Sequence, residues 1–368
     1  MNNFFKNKHI VSLDGIRGFA VLFVAIHHMI FGISRGYFEI PESIRFFAVS
    51  GVDLFFVLSG FLIGGIIIDE YKDKFFWKKF MLRRIGRIFP VYFLLVGSFS
   101  IAILFFHHKW FFDDFLLCEP LPIWPYFIFM QSYFQGMENL VGPRWVGITW
   151  SLSVEEQFYI FLPIIAIIFA RKGIFLAIFV AILIAPFVRA WAISNYGFYG
   201  GYMLFPARMD SIAMGVAVAI IVRNYKIYYF LSKSKLIYLL PFIIYFAAQT
   251  RVIPIIDSFT FKAMFYASVI TILAIKRNYI ISLLFENKVI TFFGSISFGL
   301  YMYHQLISGL THGVVYWRAP KIDSIDSFSV SIFALLIAIA VSTVSLKYFE
   351  KPIRTYFKNK SNQLYDKA

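Results

Sequence analysis

The sequence has 368 residues, of which 60% are hydrophobic and 15% are charged, and its formal net charge is +15. Soluble domains carry about 25% charged residues, so this composition excludes an ordinary soluble protein and indicates an integral membrane protein. The basic residues cluster in loops at the ends of apolar runs, which argues against nucleic-acid binding.

Cys118 is the only cysteine. The chain can therefore form no intrachain disulfide and no thiolate cluster for a metal, and no metal site is predicted.

Ten apolar runs are long enough to cross a membrane. In chain order they lie near residues 14–33, 48–68, 89–107, 151–170, 174–192, 206–223, 236–250, 259–275, 291–311 and 328–348. Lysine and arginine are concentrated in the even-numbered connections and after the last run, which the positive-inside rule assigns to the cytoplasm. The sequence therefore predicts an all-α, polytopic membrane protein, a bundle of about ten transmembrane helices with both termini cytoplasmic. Residues 1–356 are predicted to form one transmembrane domain, and residues 357–368 a short basic cytoplasmic tail.

The first apolar run, LDGIRGFAVLFVAIHHMIF at residues 13–31, contains charged and imidazole side chains. Ionisable groups are costly at membrane depth, so a span that keeps them is expected to use them. Arg17 and His28 are eleven residues apart, about three turns plus 20°, and they share one stripe of the helix with Asp14. His27 points roughly 80° away from Arg17. His28 is therefore the better candidate for chemistry, with Arg17 near the cytoplasmic end and His28 toward the outside.

The segment MLRRIGRIFPVY precedes the third run and carries Arg84 and Arg87 on one helical face. Pro90 disfavours helix just before it, which predicts a cytoplasmic lead-in or a kinked extension. Two interpretations are open. The pair could anchor the protein by the positive-inside rule, or it could join Arg17 in a phosphate clamp, because guanidinium groups bind phosphate oxygens in bidentate geometry.

The fourth run begins with TWSLSVEEQFYIFLPI. Ser153 and Glu156 match the S-x-x-E capping box of a helix start. Glu155 is not explained by that box, and it shares a face with Ser151 and Tyr159. We expect Glu155 to pair with His28, because a carboxylate can orient an imidazole for general-base chemistry on a hydroxyl.

Other polar residues interrupt the apolar runs near their outer ends. Asp53, Arg208 and Asp210 are candidates for ligand contact, although a local ion pair or helix cap would also explain Arg208 and Asp210. His304 is either a buried structural histidine or a functional one. Gly60 and Gly64 form a G-x-x-x-G pattern, which is typical of close helix packing.

Seven motifs occur in order over nearly the whole chain: LDGIRGFAVLFVAIHH, GVDLFFVLSGFLI, RRIGRIFPVY, WSLSVEEQFY, ARMDSIAMG, FGSISFGLYMYH and YFEKPIR. Together they resemble the membrane acyltransferase-3 family, which includes bacterial O-antigen and other surface-polysaccharide O-acetyltransferases. The resemblance implies a ten-helix domain that transfers an acyl group, usually acetyl, from cytoplasmic acyl-CoA to a sugar hydroxyl. Many members carry a further soluble domain at the C-terminus, and a stand-alone version is expected here. The residues that match the family pattern are Arg17, His28, Arg84, Arg87, Ser153 and Glu155.

The stripe on the first span and the resemblance together predict an acyl route across the bilayer. The predicted catalytic residues are His28, Glu155 and Asp14, with His28 acting as a general base or as a transient acyl carrier. The predicted acyl-CoA-binding residues are Arg17, Arg84 and Arg87. The predicted acceptor-binding residues are Asp53, Ser151, Ser153, Arg208, Asp210 and His304.

Acetyl-CoA is expected as the donor substrate, without a permanently bound cofactor. The expected partners are acyl-CoA, a glycan or lipid-linked sugar acceptor and the lipid bilayer, in the bacterial inner (plasma) membrane. A transporter or flippase for a lipid-linked sugar is the alternative, because it would also use ten spans with buried charges. It would need a coupling-ion or nucleotide site in place of a phosphate clamp aligned with a buried base.

Overall fold

The computed structural model describes residues 10–34, 37, 41–106, 115–118, 121–250, 258–275 and 280–364. These ranges contain helices and connecting turns, and no strand. The α-helices in chain order are α1 (Val11–Ile26), α2 (Glu42–Val49), α3 (Gly51–Glu70), α4 (Phe76–Phe106), α5 (Trp124–Phe127), α6 (Gln131–Met137), α7 (Arg144–Gly147), α8 (Trp150–Tyr196), α9 (Phe198–Met203), α10 (Phe205–Arg223), α11 (Tyr225–Lys233), α12 (Leu240–Thr250), α13 (Ser258–Ile275), α14 (Ile280–Phe285), α15 (Lys288–Tyr316), α16 (Ile325–Ser345) and α17 (Lys351–Asn362). Two π-helical turns, His27–Phe31 and Leu346–Glu350, and a 3-10 turn, Leu236–Leu239, complete the order.

Within the described ranges, six helical segments are long and apolar enough to cross a membrane. They are Val11–Phe31, Gly51–Glu70, Phe76–Phe105, Arg144–Tyr196, Phe198–Arg223 and Ile325–Asn362. A seventh is added if the bent pair Tyr225–Lys233 and Leu236–Ala247 forms one span. The protein is therefore all-helical with about six candidate spans, whereas the ten spans and the cytoplasmic termini stay predictions.

The predicted fourth and fifth spans form one helix, α8, with a break. At Ala170 the backbone leaves the helical region, with φ 51° and ψ −149°. At 1.5 Å per residue the 47 residues of α8 would extend about 70 Å, roughly twice the thickness of a bilayer core. The break divides α8 into two segments that are each about 30 Å or longer, and it falls where the sequence predicts a connection.

Helices α3 and α10 are parallel and in close contact through glycines. A Cβ added at Gly60 would lie 1.9 Å from the carbonyl oxygen of Ile212, and one at Gly64 would lie 2.8 Å from Val216. Gly215 on α10 faces α3 in the same way. The predicted packing role of the G-x-x-x-G pattern is confirmed, because only residues without a side chain allow this approach of two backbones.

Helix α1 lies against α15 in the same manner, and the two are also parallel. A Cβ at Gly18 would lie 2.1 Å from the carbonyl oxygen of Ile290, and one at Gly294 would lie 2.0 Å from the carbonyl oxygen of Asp14. This approach sets the register that brings the end of α1 beside the middle of α15.

Helix α4 is continuous from Phe76 to Phe106 and contains Pro90 in its interior. The arginine segment is therefore an extension of the third span rather than a separate lead-in. Helix α17 packs beside this extension, where a Cβ at Gly86 would lie 2.4 Å from the Cβ of Phe357. The buried Ser361 donates a hydrogen bond to the Lys79 carbonyl at 3.4 Å. Residues 357–362 of the predicted tail thus belong to a helix that packs on α4.

The contact between α3 and α10 gives a stability prediction. We expect Gly60→Ala to lower the free energy of unfolding by about 1–3 kcal/mol, because the new methyl group overlaps a backbone carbonyl that cannot move aside. The measurement is the thermal unfolding midpoint of the protein in detergent micelles.

The matched control is Gly97→Ala, because a Cβ at Gly97 has nothing within 4 Å. This variant should unfold at or slightly above the wild-type temperature, since alanine favours helix over glycine. Equal midpoints for the two variants would contradict the packing argument.

Candidate functional site

A cavity of about 620 Å³ lies between α1, α3, α4, α8 and α15. Apolar residues line most of its length, including Phe55 and Met302. Six of the twelve site residues predicted from the sequence also line it: Asp14, Arg17, Arg84, Arg87, Ser151 and Glu155. The structure therefore brings the predicted arginine cluster and the polar start of α8 into one space.

Three arginines give one end of this cavity an excess of positive charge. Arg17 Nη1 donates to Asp14 Oδ1 at 2.9 Å. The Nε of Arg84 is buried without a hydrogen bond in the described part of the chain, and Arg87 makes no ion pair with a described residue. Three guanidinium groups outnumber the two carboxylates near them, Asp14 and Glu155, which leaves a field that attracts an anionic ligand.

Two further charged pairs lie at the same end and are neutralised internally. Arg223 donates to both carboxylate oxygens of Asp69, at 2.9 and 2.7 Å. Arg83 lies 3.5 Å from Glu70. These pairs line the cavity without adding net charge, so the excess positive charge belongs to the three predicted arginines.

The turn into α4 is fixed by a carboxylate outside the candidate spans. Asp73 accepts hydrogen bonds from the Phe75 amide and from Lys79 Nζ, both at 2.7 Å. The hydrogen bond from Lys79 lowers the pKa of Asp73, so this carboxylate stays charged at neutral pH. These bonds hold the start of the helix that carries Arg84 and Arg87.

Glu155 does not pair with His28, which corrects the prediction. Its carboxylate accepts a hydrogen bond from the Tyr159 hydroxyl at 2.8 Å, and Tyr159 is bonded to Ser59 at 2.6 Å. The charges that act on Glu155 are those of the three arginines. Glu155 lies at the arginine end of the cavity because α8 presents it there, so it can balance the guanidinium charges.

His28 bonds instead to His304. Its Nδ1 lies 2.9 Å from His304 Nε2, and the two rings are nearly parallel, with centroids 5.1 Å apart. His28 belongs to the π-helical turn that ends the first span, a distortion that is frequent at functional sites. His28 is half-buried, whereas His304 is fully buried.

Tyr301 lines the cavity and also lies beside the histidine pair. It lines the inner end of the cavity, and its ring centroid is 6.0 Å from that of His304. Its hydroxyl donates to the Ile148 carbonyl at 2.9 Å and lies 2.6 Å from Ser151 Oγ. Sequence reasoning missed Tyr301, although its position three residues before His304 places both on one helical face.

The capping box predicted for Ser153 and Glu156 is absent. Helix α8 begins at Trp150, and its N-cap residue, Thr149, makes no side-chain cap. Because the helix starts earlier than predicted, Ser153 lies inside it, where Ser153 is fully buried and donates to the Phe129 carbonyl. Ser153 therefore fastens the α5–α6 segment to α8 and does not line the cavity.

Asp53 and Arg208 form a buried ion pair apart from the cavity. Each is at most 1% exposed, and Arg208 donates to Asp53 from the neighbouring helix. The Arg208 guanidinium also lies 4.5 Å from the ring centroid of Phe259. An acceptor could reach either residue only by breaking this pair, so a structural role fits the geometry better than the predicted acceptor contact.

Asp210 belongs to a second buried ion pair. It accepts hydrogen bonds from Arg189 at 3.2 and 2.8 Å and from Thr260 at 2.7 Å. Arg208 and Asp210 thus both form ion pairs. Their partners, Asp53 and Arg189, are distant in the sequence, whereas a local ion pair was expected. Sequence reasoning missed Arg189, which an otherwise apolar span would carry only with a counter-charge.

Comparison with known proteins identifies the family. A family profile described as "Acyltransferase domain" matches residues 10–347. The peptidoglycan O-acetyltransferase OatA of Listeria monocytogenes is 25% identical over 98% of this chain and 59% of its own length. A putative O-acetyltransferase of Staphylococcus aureus (strain COL) is 24% identical over 95% of this chain and 58% of its own length. No solved structure matches the chain.

A third relative is the putative peptidoglycan O-acetyltransferase YrhL of Bacillus subtilis, which is 31% identical over 44% of this chain and 24% of its own length. The chain thus spans less than two thirds of the length of these relatives. The family profile covers nearly all of the chain, and its description agrees with the seven ordered motifs. The chain therefore belongs to the membrane acyltransferase-3 family.

Proposed function

We propose that the protein is a membrane O-acyltransferase that moves an acetyl group from cytoplasmic acetyl-CoA to a hydroxyl of a cell-envelope glycan. The observation that carries this proposal is the cavity that joins three arginines to Tyr301. One helical turn after Tyr301, His304 is hydrogen-bonded to His28, the predicted base. A phosphate-binding end, an apolar channel and an imidazole in this order are the parts that transfer from acyl-CoA across a membrane requires.

Arg17, Arg84 and Arg87 would bind the phosphates of acetyl-CoA. Their guanidinium groups match phosphate oxygens in bidentate geometry, and Arg84 Nε has no hydrogen bond to a described residue. The apolar walls beyond them suit the slender pantetheine arm, whose thioester would approach Tyr301. Acetyl-CoA is thus a donor substrate, and the mechanism needs no permanently bound cofactor.

His28 would act on a thioester that reaches the Tyr301 end of the cavity. As a general base it would take the proton of the acceptor hydroxyl while the oxygen attacks the carbonyl carbon. The carbon–sulfur bond then breaks, and the proton passes to the leaving sulfur to give free CoA. As an acyl carrier, His28 would itself attack the carbonyl carbon, and the carbon–sulfur bond would break to release the CoA thiolate. In a second step the hydroxyl would attack the acetyl carbon, the carbon–nitrogen bond to His28 would break, and the hydroxyl proton would pass to the thiolate to give free CoA.

The acceptor is proposed to be peptidoglycan or its lipid-linked precursor, because one of the named relatives is a peptidoglycan O-acetyltransferase and another is named a putative one. This replaces the O-antigen acceptors associated with the wider family. The location proposed is the bacterial plasma membrane, with the arginine end of the cavity facing the cytoplasm. This orientation rests on the positive-inside rule.

The test is transfer of label from [14C]acetyl-CoA in sealed membrane vesicles that contain the protein. Inverted vesicles expose the cytoplasmic face, and we expect them to incorporate label into the glycan fraction as an ester that mild alkali releases. Right-side-out vesicles, and vesicles without the protein, should stay unlabelled. Label that resists alkali, or equal labelling in both orientations, would contradict the proposal.

A further inference from the structure

The hydrogen bonds of His304 fix which of its ring nitrogens carries hydrogen. His304 Nδ1 lies 2.7 Å from the Tyr301 carbonyl oxygen and 3.1 Å from the Leu300 carbonyl oxygen. Carbonyl oxygens only accept, so Nδ1 must be the donor. His304 is fully buried and has no carboxylate contact in the described structure, and an unpaired buried cation is costly. A neutral ring carries one N–H, so Nε2 of His304 is left as an acceptor.

The donor and acceptor roles at His304 determine those at His28. Its Nδ1 lies 2.9 Å from the accepting Nε2 of His304, so Nδ1 of His28 must donate. The neutral imidazole of His28 then has its lone pair on Nε2. A single chain of hydrogen bonds, from a backbone carbonyl through His304 to His28, thereby selects one of the two tautomers of His28.

We infer that His304 is a positioning residue that fixes the Nδ1–H tautomer of His28 and so makes Nε2 the reactive atom. This inference rests on the proposed acyl transfer. It replaces the acceptor-binding role predicted for His304, since both ring nitrogens of His304 are occupied by bonds within the protein.

Both chemical routes require this tautomer. In the general-base route, Nε2 takes the hydroxyl proton and later returns it to the leaving sulfur. In the acyl-carrier route, Nε2 forms the bond to the carbonyl carbon as the carbon–sulfur bond breaks. With the other tautomer, Nε2 would carry hydrogen and could do neither, and the remaining lone pair on Nδ1 would face His304.

The surroundings contain other groups that act on His28. The charge of Arg144 and the ring of His27, whose centroid lies 5.3 Å away, are both felt at His28. The hydrogen bond at Nδ1 of His28 is made to His304. The tautomer is therefore assigned to His304.

Three substitutions of His304 separate positioning from packing. His304→Gln keeps a hydrogen-bond acceptor for His28, because the side-chain oxygen of glutamine can occupy the position of His304 Nε2. His304→Asn has the same amide but is too short to reach His28, and His304→Phe keeps a ring without an acceptor. The readout is the initial rate of [14C]acetyl transfer in vesicles at varied acetyl-CoA, per amount of folded protein.

We expect His304→Gln to keep kcat within about tenfold of wild type, and the Asn and Phe variants to lose about 100-fold or more, as when a general base is in the wrong tautomer. The KM for acetyl-CoA should stay within about threefold in all three, since the arginine cluster is untouched. If His304→Phe fails to fold, the matched Gln and Asn pair carries the comparison.

The control is His312→Phe, a buried histidine on the same helix that bonds to Ser331 at 2.9 Å. It should leave kcat unchanged. Wild-type kcat in His304→Asn, or equal losses in the Gln, Asn and Phe variants with normal acetyl-CoA binding, would overturn the positioning role alone. Absence of transfer by the wild-type protein would overturn the proposed function and this inference together.

Discussion

Replacing His28 with alanine is expected to reduce kcat for acetyl transfer by about 100- to 10,000-fold. His28 supplies the imidazole in either route, and loss of a general base costs about 100- to 10,000-fold. The KM for acetyl-CoA should change little, because His28 does not line the cavity that would hold the donor. The measurement is the alkali-labile label in the glycan fraction as acetyl-CoA is varied.

The matched control is His27→Ala, which removes the adjacent histidine from the same π-helical turn. It should retain most of the wild-type kcat, because His304 bonds to His28. Loss of transfer with His27→Ala but not with His28→Ala would overturn the assignment. An equal loss in both variants would point to disruption of the turn and would count against a chemical role for His28 alone.

The double substitution Arg84→Ala and Arg87→Ala is expected to raise the KM for acetyl-CoA by about 100-fold or more. Hydrogen bonds to charged groups contribute about 1.5–3 kcal/mol each, and two clamp residues would be lost. kcat at saturating donor should fall much less, because the histidine pair and Tyr301 remain in place. The donor-concentration dependence of transfer separates the two effects.

A charge-matched control is available on the same face of the protein. Lys78→Ala with Lys358→Ala removes two positive charges from exposed positions on α4 and α17, outside the cavity. This variant should keep the wild-type KM, because screened surface charges contribute little. If both double variants raise KM equally, the arginines act only through net charge, and the clamp is wrong.

The distinction between the enzyme and a transporter depends on the family. The pattern of buried charges in the sequence is also compatible with a flippase for a lipid-linked sugar. The match to an acyltransferase domain over residues 10–347 supports an enzyme that transfers acyl groups.

Predictions within one helix were the most successful. The stripe of Asp14, Arg17 and His28 required only the helical period. The structure places Asp14 and Arg17 on the cavity, whereas His28 lies in the π-helical turn and does not line it. Arg84 and Arg87 also share a face, as three-residue spacing demands. The helix start at Ser153 failed, because tertiary contacts of the α5–α6 segment bury this serine inside α8.

Predictions about pairs on different helices were less successful. Glu155 was assigned to His28 because both are polar and lie in apolar runs, yet Tyr159 on its own helix satisfies it. Asp53 and Arg208 were separate candidates for ligand contact, and they turned out to be partners of each other. Burial makes ion pairing necessary, but it does not say which partner is near.

The sequence by itself determined that this is a membrane protein of the acyltransferase-3 family and which residues of each helix share a face. The apolar composition requires a lipid environment, and the fixed rotation per residue of a helix sets the direction of each side chain. Only the tertiary structure decided that His28 meets His304, 276 residues later in the chain. That contact depends on glycines that allow α1 and α15 to approach in one register, and the helical period of either helix contains no information about its neighbour.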